Sequence, residues 1–217
     1  PWVLLMPTLI ILTCVVLLPL LLSLWTSFTP FKLTKPDTLY RFVGFRNYER
    51  LISDFDFWVA FGRTVLFLAI ALNLELVFGL GIALLINKIT YGQRTLRTLM
   101  MFPMMFSPIL VGFQWKYIFN DNIGLLNNFL REFGVIQPIP WLVDGILANI
   151  SIMAAEIWSS TSVFAILLLA GLLGIPKDPI EAAKVDGCNS WQVFKNITLP
   201  FLMPFVFIAM TIRSLDV

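Results

Sequence analysis

Residues 2–28 run without a single Asp, Glu, Lys or Arg, and further long apolar stretches follow at 64–86, 98–119, 146–175 and 200–217. A bilayer's hydrocarbon core is about 30 Å thick, so a helix that crosses it needs about 20 mostly apolar residues. Only helices and closed barrels satisfy every backbone polar group in lipid. None of these stretches alternates apolar and polar residues as a barrel strand does. The pattern predicts an all-α integral membrane protein with five spans at those windows, the chain being cut within apolar runs at both ends. The first window is too long for a signal-peptide core and no small-residue cleavage site follows it. Pro7, Pro19, Gly79, Gly81, Pro103 and Pro108 fall inside the windows and are read as tolerated there.

Composition agrees. The 217 residues are 59% hydrophobic and 13% charged, where a soluble domain carries about 25% charged residues. A water-soluble globule, a disordered chain and a coiled coil are excluded. The net charge of +2 gives no reason to expect a nucleic acid partner. There is no histidine, which removes Ser-His and Cys-His catalysis and the commonest zinc ligand. Cys14 and Cys188 define no disulfide framework. No metal cluster and no catalytic constellation is expected.

Four loops separate the windows. In the first, 29–63, apolar residues at helical spacing between 47 and 61 predict an amphipathic helix at the membrane interface. Loop 87–97 is short and basic, and 120–145 is rich in turns. Helix parity places 87–97 and 176–199 on one side with six Lys/Arg, against seven on the other. The positive-inside rule does not decide between the two orientations.

Loop 176–199 has the most legible local chemistry. Asp178 suits an N-cap, with Pro179 at the first helical position and Glu181 at the third. Gly187 fits the left-handed residue past the end of that helix. Asn189, with Gln192 three residues on, caps a second short helix, which Pro200 is expected to stop before the last span. Ala182 and Ala183 leave room for close approach by another surface. Trp191 and Phe194 pack either against another protein or against the chain's own spans, and the second is expected.

Glu181-Ala182-Ala183, Asp186-Gly187, Phe194, Ile197, Leu199 and Pro200 resemble the Glu-Ala-Ala loop of permease subunits of binding-protein-dependent ABC importers. The resemblance extends over nearly the whole chain. Val43–Tyr48, Gly124–Asn127 with Trp141-Leu142 and Asp144, Glu156–Trp158, Leu168–Leu172 and Ile212–Asp216 look like segments of the sugar-uptake branch, the maltose, glycerol-phosphate and trehalose type of permease. Cys188 stands where that family often has Ala.

The resemblance implies a helical type I importer permease of about six spans in full, in a bacterial or archaeal inner membrane. It implies that 176–199 faces the cytoplasm and docks on an ATPase, with Glu181, Ala182, Ala183, Asp186, Gly187, Leu199 and Pro200 as coupling residues. Glu181 either pairs with a basic group on the ATPase or caps its own helix. Implied partners are a second, different permease subunit, two cytoplasmic ATPase subunits and an extracytoplasmic solute-binding protein. The chain needs no cofactor of its own. It has no Gly-rich loop ending in Lys-Ser/Thr, so ATP and Mg belong to the ATPase.

Polar residues inside spans are costly, at about 2.5–3.5 kcal/mol for a charge at the bilayer centre, and need a partner or a wet path. Asn149, Glu156, Trp158, Ser159 and Ser160 on the fourth window, with Glu75 on the second, are candidates for a sugar path. Glue between packed helices is the other reading for each of them. Arg213 and Asp216, three apart, are expected to pair on one helix face. The absence of a dense basic cluster in the spans argues against a multiply charged anionic substrate. A stand-alone secondary transporter or channel is the alternative; it predicts internal inverted repeats, and none is evident. A membrane enzyme lacks a nucleophile–base pair to support it.

Overall fold

A computed structural model of the chain describes residues 2–134 and 137–216 and divides them into two compact units, the first ending at Thr64. The described residues are helical apart from loops and one isolated bridge between Lys32 and Lys35. Among them, four helices are long and apolar enough to cross a membrane: Leu4–Ser27, Phe55–Lys88, Gly145–Leu173 and Ser190–Asp216. Val217, the end of the fifth window, lies outside the described residues.

In the first unit, α1 (Trp2–Leu12) continues through a π turn, Thr13–Leu17, into α2 (Leu18–Ser27). The widened turn stands just before Pro19, and the Leu18 N–H reaches back five residues to the Thr13 carbonyl. A proline ring collides with the carbonyl four residues back, and a π turn is where a helix absorbs such a conflict. The carbonyl end of α2 is held by the segment that follows. Asn47 Nδ2 donates to the Ser27 and Thr29 carbonyls at 2.8 Å each, and Tyr48 Oη donates to Ser27 Oγ at 2.7 Å. Phe28 packs against the rings of Phe42, Phe45 and Tyr48. The amphipathic helix is shorter than expected: α3 covers Arg46–Ser53 only, and α4 (Phe55–Lys88) begins right after Asp54. Asp54 Oδ1 accepts from the Asp56 and Phe57 N–H groups. That N-cap chemistry breaks the run which apolar periodicity alone reads as one helix.

The second unit is built on α4, α8 (Gly145–Leu173) and α11 (Leu199–Asp216). Leu72, Ala83 and Ile86 of α4, Phe164, Leu168 and Leu172 of α8, and Leu202 and Ala209 of α11 share one buried core. Lipid supplies no hydrophobic drive between helices, so association rests on close packing. Gly79 shows how close: a Cβ there would lie 2.5 Å from Phe164 Cβ and 3.0 Å from the Ala165 nitrogen. Glu75, one turn before Gly79, is drawn into the same seam and is fully buried.

The third window, where a span is expected at 98–119, is not one continuous helix. The chain forms α5 (Gln93–Met101), a 3-10 turn at Pro103–Met105, and α6 (Pro108–Ile118). Phe106 and Ser107 between them are extended. Two prolines five apart remove two backbone donors, and Pro108 pushes Ser107 out of helical geometry. Hydropathy carries no trace of this.

After α6 comes α7 (Leu125–Glu132), tied through Asn127 to the segment that leads into α8. Its side chain is buried and fully bonded. Nδ2 donates to the Asp121 and Ile139 carbonyls, and Oδ1 accepts from the Ile139 N–H and the Trp141 indole, all at 3.0–3.2 Å. Asn127→Ala would leave four half-buried groups without this partner, so we expect a loss of about 2–3 kcal/mol. A lowered melting temperature of the purified membrane protein, read from Trp fluorescence, checks this; an unchanged melt would remove Asn127 as an anchor.

Candidate functional site

Arg213 on α11 is 4% exposed and Glu75 on α4 is 0% exposed. The guanidinium forks onto the Glu75 carboxylate, Nε to Oε2 at 3.2 Å and Nη2 to Oε1 at 3.3 Å. Nη2 also donates to Glu156 Oε1 of α8, and Nη1 to Asp216 Oδ2, both at 2.5 Å. One cation thus gathers three carboxylates from three helices. The planar fork of arginine suits such bidentate contact better than a lysine would. Ser160 Oγ donates to the same Glu156 oxygen at 3.1 Å, and Ser159 Oγ to the Glu156 carbonyl at 3.1 Å.

The exposed side of this network lines a cavity of about 510 Å³. Glu156, Ser159, Ser160, Arg213 and Asp216 form one wall. Pro103, Phe106, Pro108 and Gly112, from the interrupted third segment, form another. Irregular backbone at membrane depth is tolerated where it lines a cavity or is buried in protein. The break and the charges therefore meet at one place.

Of the path candidates, the structure brings together Glu156, Ser159 and Ser160. It separates the other three. Glu75 is fully buried behind Arg213 and does not line the cavity. Asn149 lies near the start of α8, and its side chain bonds its own helix at the Gly145 carbonyl, 2.6 Å away. Trp158 points to another face, between Phe106 and Trp115 at ring-centroid distances of 6.5 and 5.9 Å. The expected Arg213–Asp216 pair is present. The links from Arg213 to Glu75 and Glu156 join residues 138 and 57 positions apart, beyond any local spacing signal.

The loop 176–199 holds α9 (Lys177–Val185) and α10 (Ser190–Val193). Pro176, not Asp178, is the N-cap, and no side chain caps α9. The first turn of a helix has no use for its N–H groups, so Pro179 fits inside it and the helix starts earlier than expected. Asp178 then sits in the first turn, where an acid is favourable. The far end closes as a Schellman motif. Gly187 has φ +82°, its N–H reaches the Lys184 carbonyl at 3.1 Å, and the Cys188 N–H reaches Ala183 at 2.9 Å. Asn189 and Gln192 form a reciprocal capping box at 2.9 and 2.7 Å. Pro200 does not stop α10, because the helix runs on through a π turn at Phe194–Thr198 into α11, with the Leu199 N–H on the Phe194 carbonyl. This is the device already used before Pro19. Glu181, Ala182, Asp186 and Gly187 are exposed, Ala183 and Leu199 are half-buried, and Pro200 is exposed. Trp191 is 67% exposed and stacks on Phe194 at 5.6 Å, so it does not pack into the spans as expected. A groove of about 430 Å³ runs beside it, between the ends of α4 and α8 and the loop.

Among the described residues no group of three or more His, Cys, Asp or Glu is placed to hold a metal.

Comparison with known proteins places this architecture. Residues 75–217 match the family model for the binding-protein-dependent transport system inner membrane component. The chain is 35% identical to the trehalose/maltose transport system permease protein MalF of Thermococcus litoralis, over 99% of this chain and 72% of that protein. It is 34% identical to a probable ABC transporter permease of Sinorhizobium fredii, over 98% and 68%. Among solved structures, a bacterial alginate ABC transporter in complex with alginate pentasaccharide-bound periplasmic protein superposes with a TM-score of 0.82. It is 22% identical, and the match covers 98% of this chain and 70% of that one. Relatives of this kind are transport subunits, not enzymes. The chain belongs to the family of binding-protein-dependent transport system inner membrane components, the multi-pass permeases of ABC importers.

Proposed function

We propose that this chain is one permease subunit of an ATP-driven importer for a sugar or related polyol, and that it forms half of the translocation path. The observation that carries the reading is the cavity where the interrupted third segment faces Glu156, Ser159 and Ser160. Hydroxyl-rich solutes are recognised by a few convergent polar groups in a largely apolar pocket, and this is such an arrangement. The relatives support the substrate class, since their names include trehalose/maltose transport and alpha-glucoside transport. The path residues are Glu156, Ser159 and Ser160; Arg213 and Glu75 hold them in place.

Energy comes from outside the chain. Two cytoplasmic ATPase subunits bind ATP and Mg, and the permease holds no cofactor. The exposed knob of α9 and α10 is the surface that docks on an ATPase. A second, different permease subunit completes the path, and an extracytoplasmic solute-binding protein delivers the substrate. The presence of such a protein in the alginate complex supports that partner.

The test is co-expression of the full-length permease with its operon neighbours, purification in mild detergent and mass spectrometry of what accompanies it. Replacing 176–199 by a Gly/Ser linker is expected to release an ATPase that the parent retains. A chain that purifies alone and moves solute in liposomes without ATP would overturn the reading in favour of a stand-alone transporter.

A further inference from the structure

The hydrogen-bond inventory of the cavity is one-sided. Four of the five N–H groups of Arg213 are committed to Glu75, Glu156 and Asp216. The Ser159 and Ser160 hydroxyls donate within α8. Beyond one remaining Arg213 Nη1 N–H, the free valences are acceptors: Glu156 Oε2 and Asp216 Oδ1 take no hydrogen bond from the described residues. The Glu156 and Asp216 side chains are 32% and 71% exposed, while the guanidinium that offsets them is 5% exposed. Carboxylates outnumber the cation that gathers them, and of the charged groups that line the cavity they are the more exposed.

We propose that Glu156 and Asp216 make this cavity a charge filter. It takes solutes that donate hydrogen bonds, namely neutral polyols and ammonium-bearing sugars, and rejects sugars that carry a carboxylate. A hydroxyl satisfies a free carboxylate oxygen; the carboxylate group of a uronate brings a second anion and no donor to the same oxygen. Discrimination of this kind comes from the repulsive element as much as the attractive one. This rests on the cavity being part of the substrate path.

The test separates the two claims. Gly112 lines the cavity, and a Cβ there meets nothing within 4 Å, so Gly112→Cys is tolerated. With Cys14 and Cys188 changed to Ala in the full complex, labelling rates of the introduced thiol are measured with cationic trimethylammonioethyl and anionic sulfonatoethyl methanethiosulfonates. The ratio is referred to that for free cysteine. We expect the cationic reagent to be favoured by at least about tenfold, and Glu156→Gln/Asp216→Asn to bring the ratio close to that of free cysteine. A wild-type ratio equal to that of free cysteine, or one the double variant leaves unchanged, overturns the filter. Protection of the introduced thiol by trehalose but not by its uronate analogue supports it; equal protection by both overturns it. If no sugar protects while the ratio stays high, the path reading fails and the filter stands as an electrostatic property of the cavity.

Discussion

Replacing Arg213 with leucine is expected to leave almost no folded permease. Arg213 is the cation that Glu75, Glu156 and Asp216 share. Glu156 and Asp216 are partly exposed and can be hydrated when it goes. Glu75 cannot, because it is fully buried between α4 and its neighbours. Removing one partner of a buried pair costs about 3–5 kcal/mol, chiefly through the charge left behind. Against a typical stability of about 5–15 kcal/mol, that is a large share. The expected result is loss of the monodisperse peak in fluorescence-detected size-exclusion chromatography. Glu75→Leu/Arg213→Leu removes both buried charges and is expected to recover most of the protein, since an apolar pair of similar volume is often as stable as the ion pair. Arg213→Lys places a point charge where a fork was bonded, and is expected to fall between. If Arg213→Leu elutes like the parent, or the double variant is no better than the single, the network does not hold the helices together.

The sequence made the apolar windows legible because the hydrophobic period and the charge-free runs are local. The same locality explains what it concealed. Glu75 reads as an isolated carboxylate in an apolar helix, and both a path and a packing role fit that. Only the fold brings Arg213 from 138 positions away to stand beside Glu75. Glu156, Ser159 and Ser160 were recoverable because they lie within one turn or so of α8. Trp158 shares their segment but faces Phe106 and Trp115, and no spacing rule on a helix with polar residues on several faces predicts that. Pro103 and Pro108 flank the break in the third segment, but hydropathy averages over it and proline is common in membrane helices, so by sequence alone they read as tolerated. In the loop 176–199, Gly187 and the Asn189–Gln192 box were readable since capping is chemistry within four residues. The start of α9 was not, because the first turn accepts a proline at any of its early positions.

Gly187→Val is expected to uncouple the transporter without unfolding its membrane core. At φ +82° a valine is held in the left-handed region that branched side chains avoid. The strain, about 1–3 kcal/mol, falls on the two bonds that close α9, Gly187 N–H to Lys184 and Cys188 N–H to Ala183. A Cβ at Gly187 meets nothing within 4 Å, so the penalty is in the backbone and not in packing. The orientation of α9 relative to α10 is what a docked ATPase would feel. In proteoliposomes containing the whole complex, substrate-stimulated ATP hydrolysis is expected to fall by about tenfold or more, with size-exclusion behaviour unchanged. Gly187→Asn is the informative companion. Asparagine enters the left-handed region readily, so it should keep most of the coupling, with Gly187→Ala in between. Equal loss in the Asn and Val variants would mean that the docked surface excludes any side chain there, and the turn geometry would not be the cause. Full coupling in the Val variant would remove this turn from the coupling mechanism altogether.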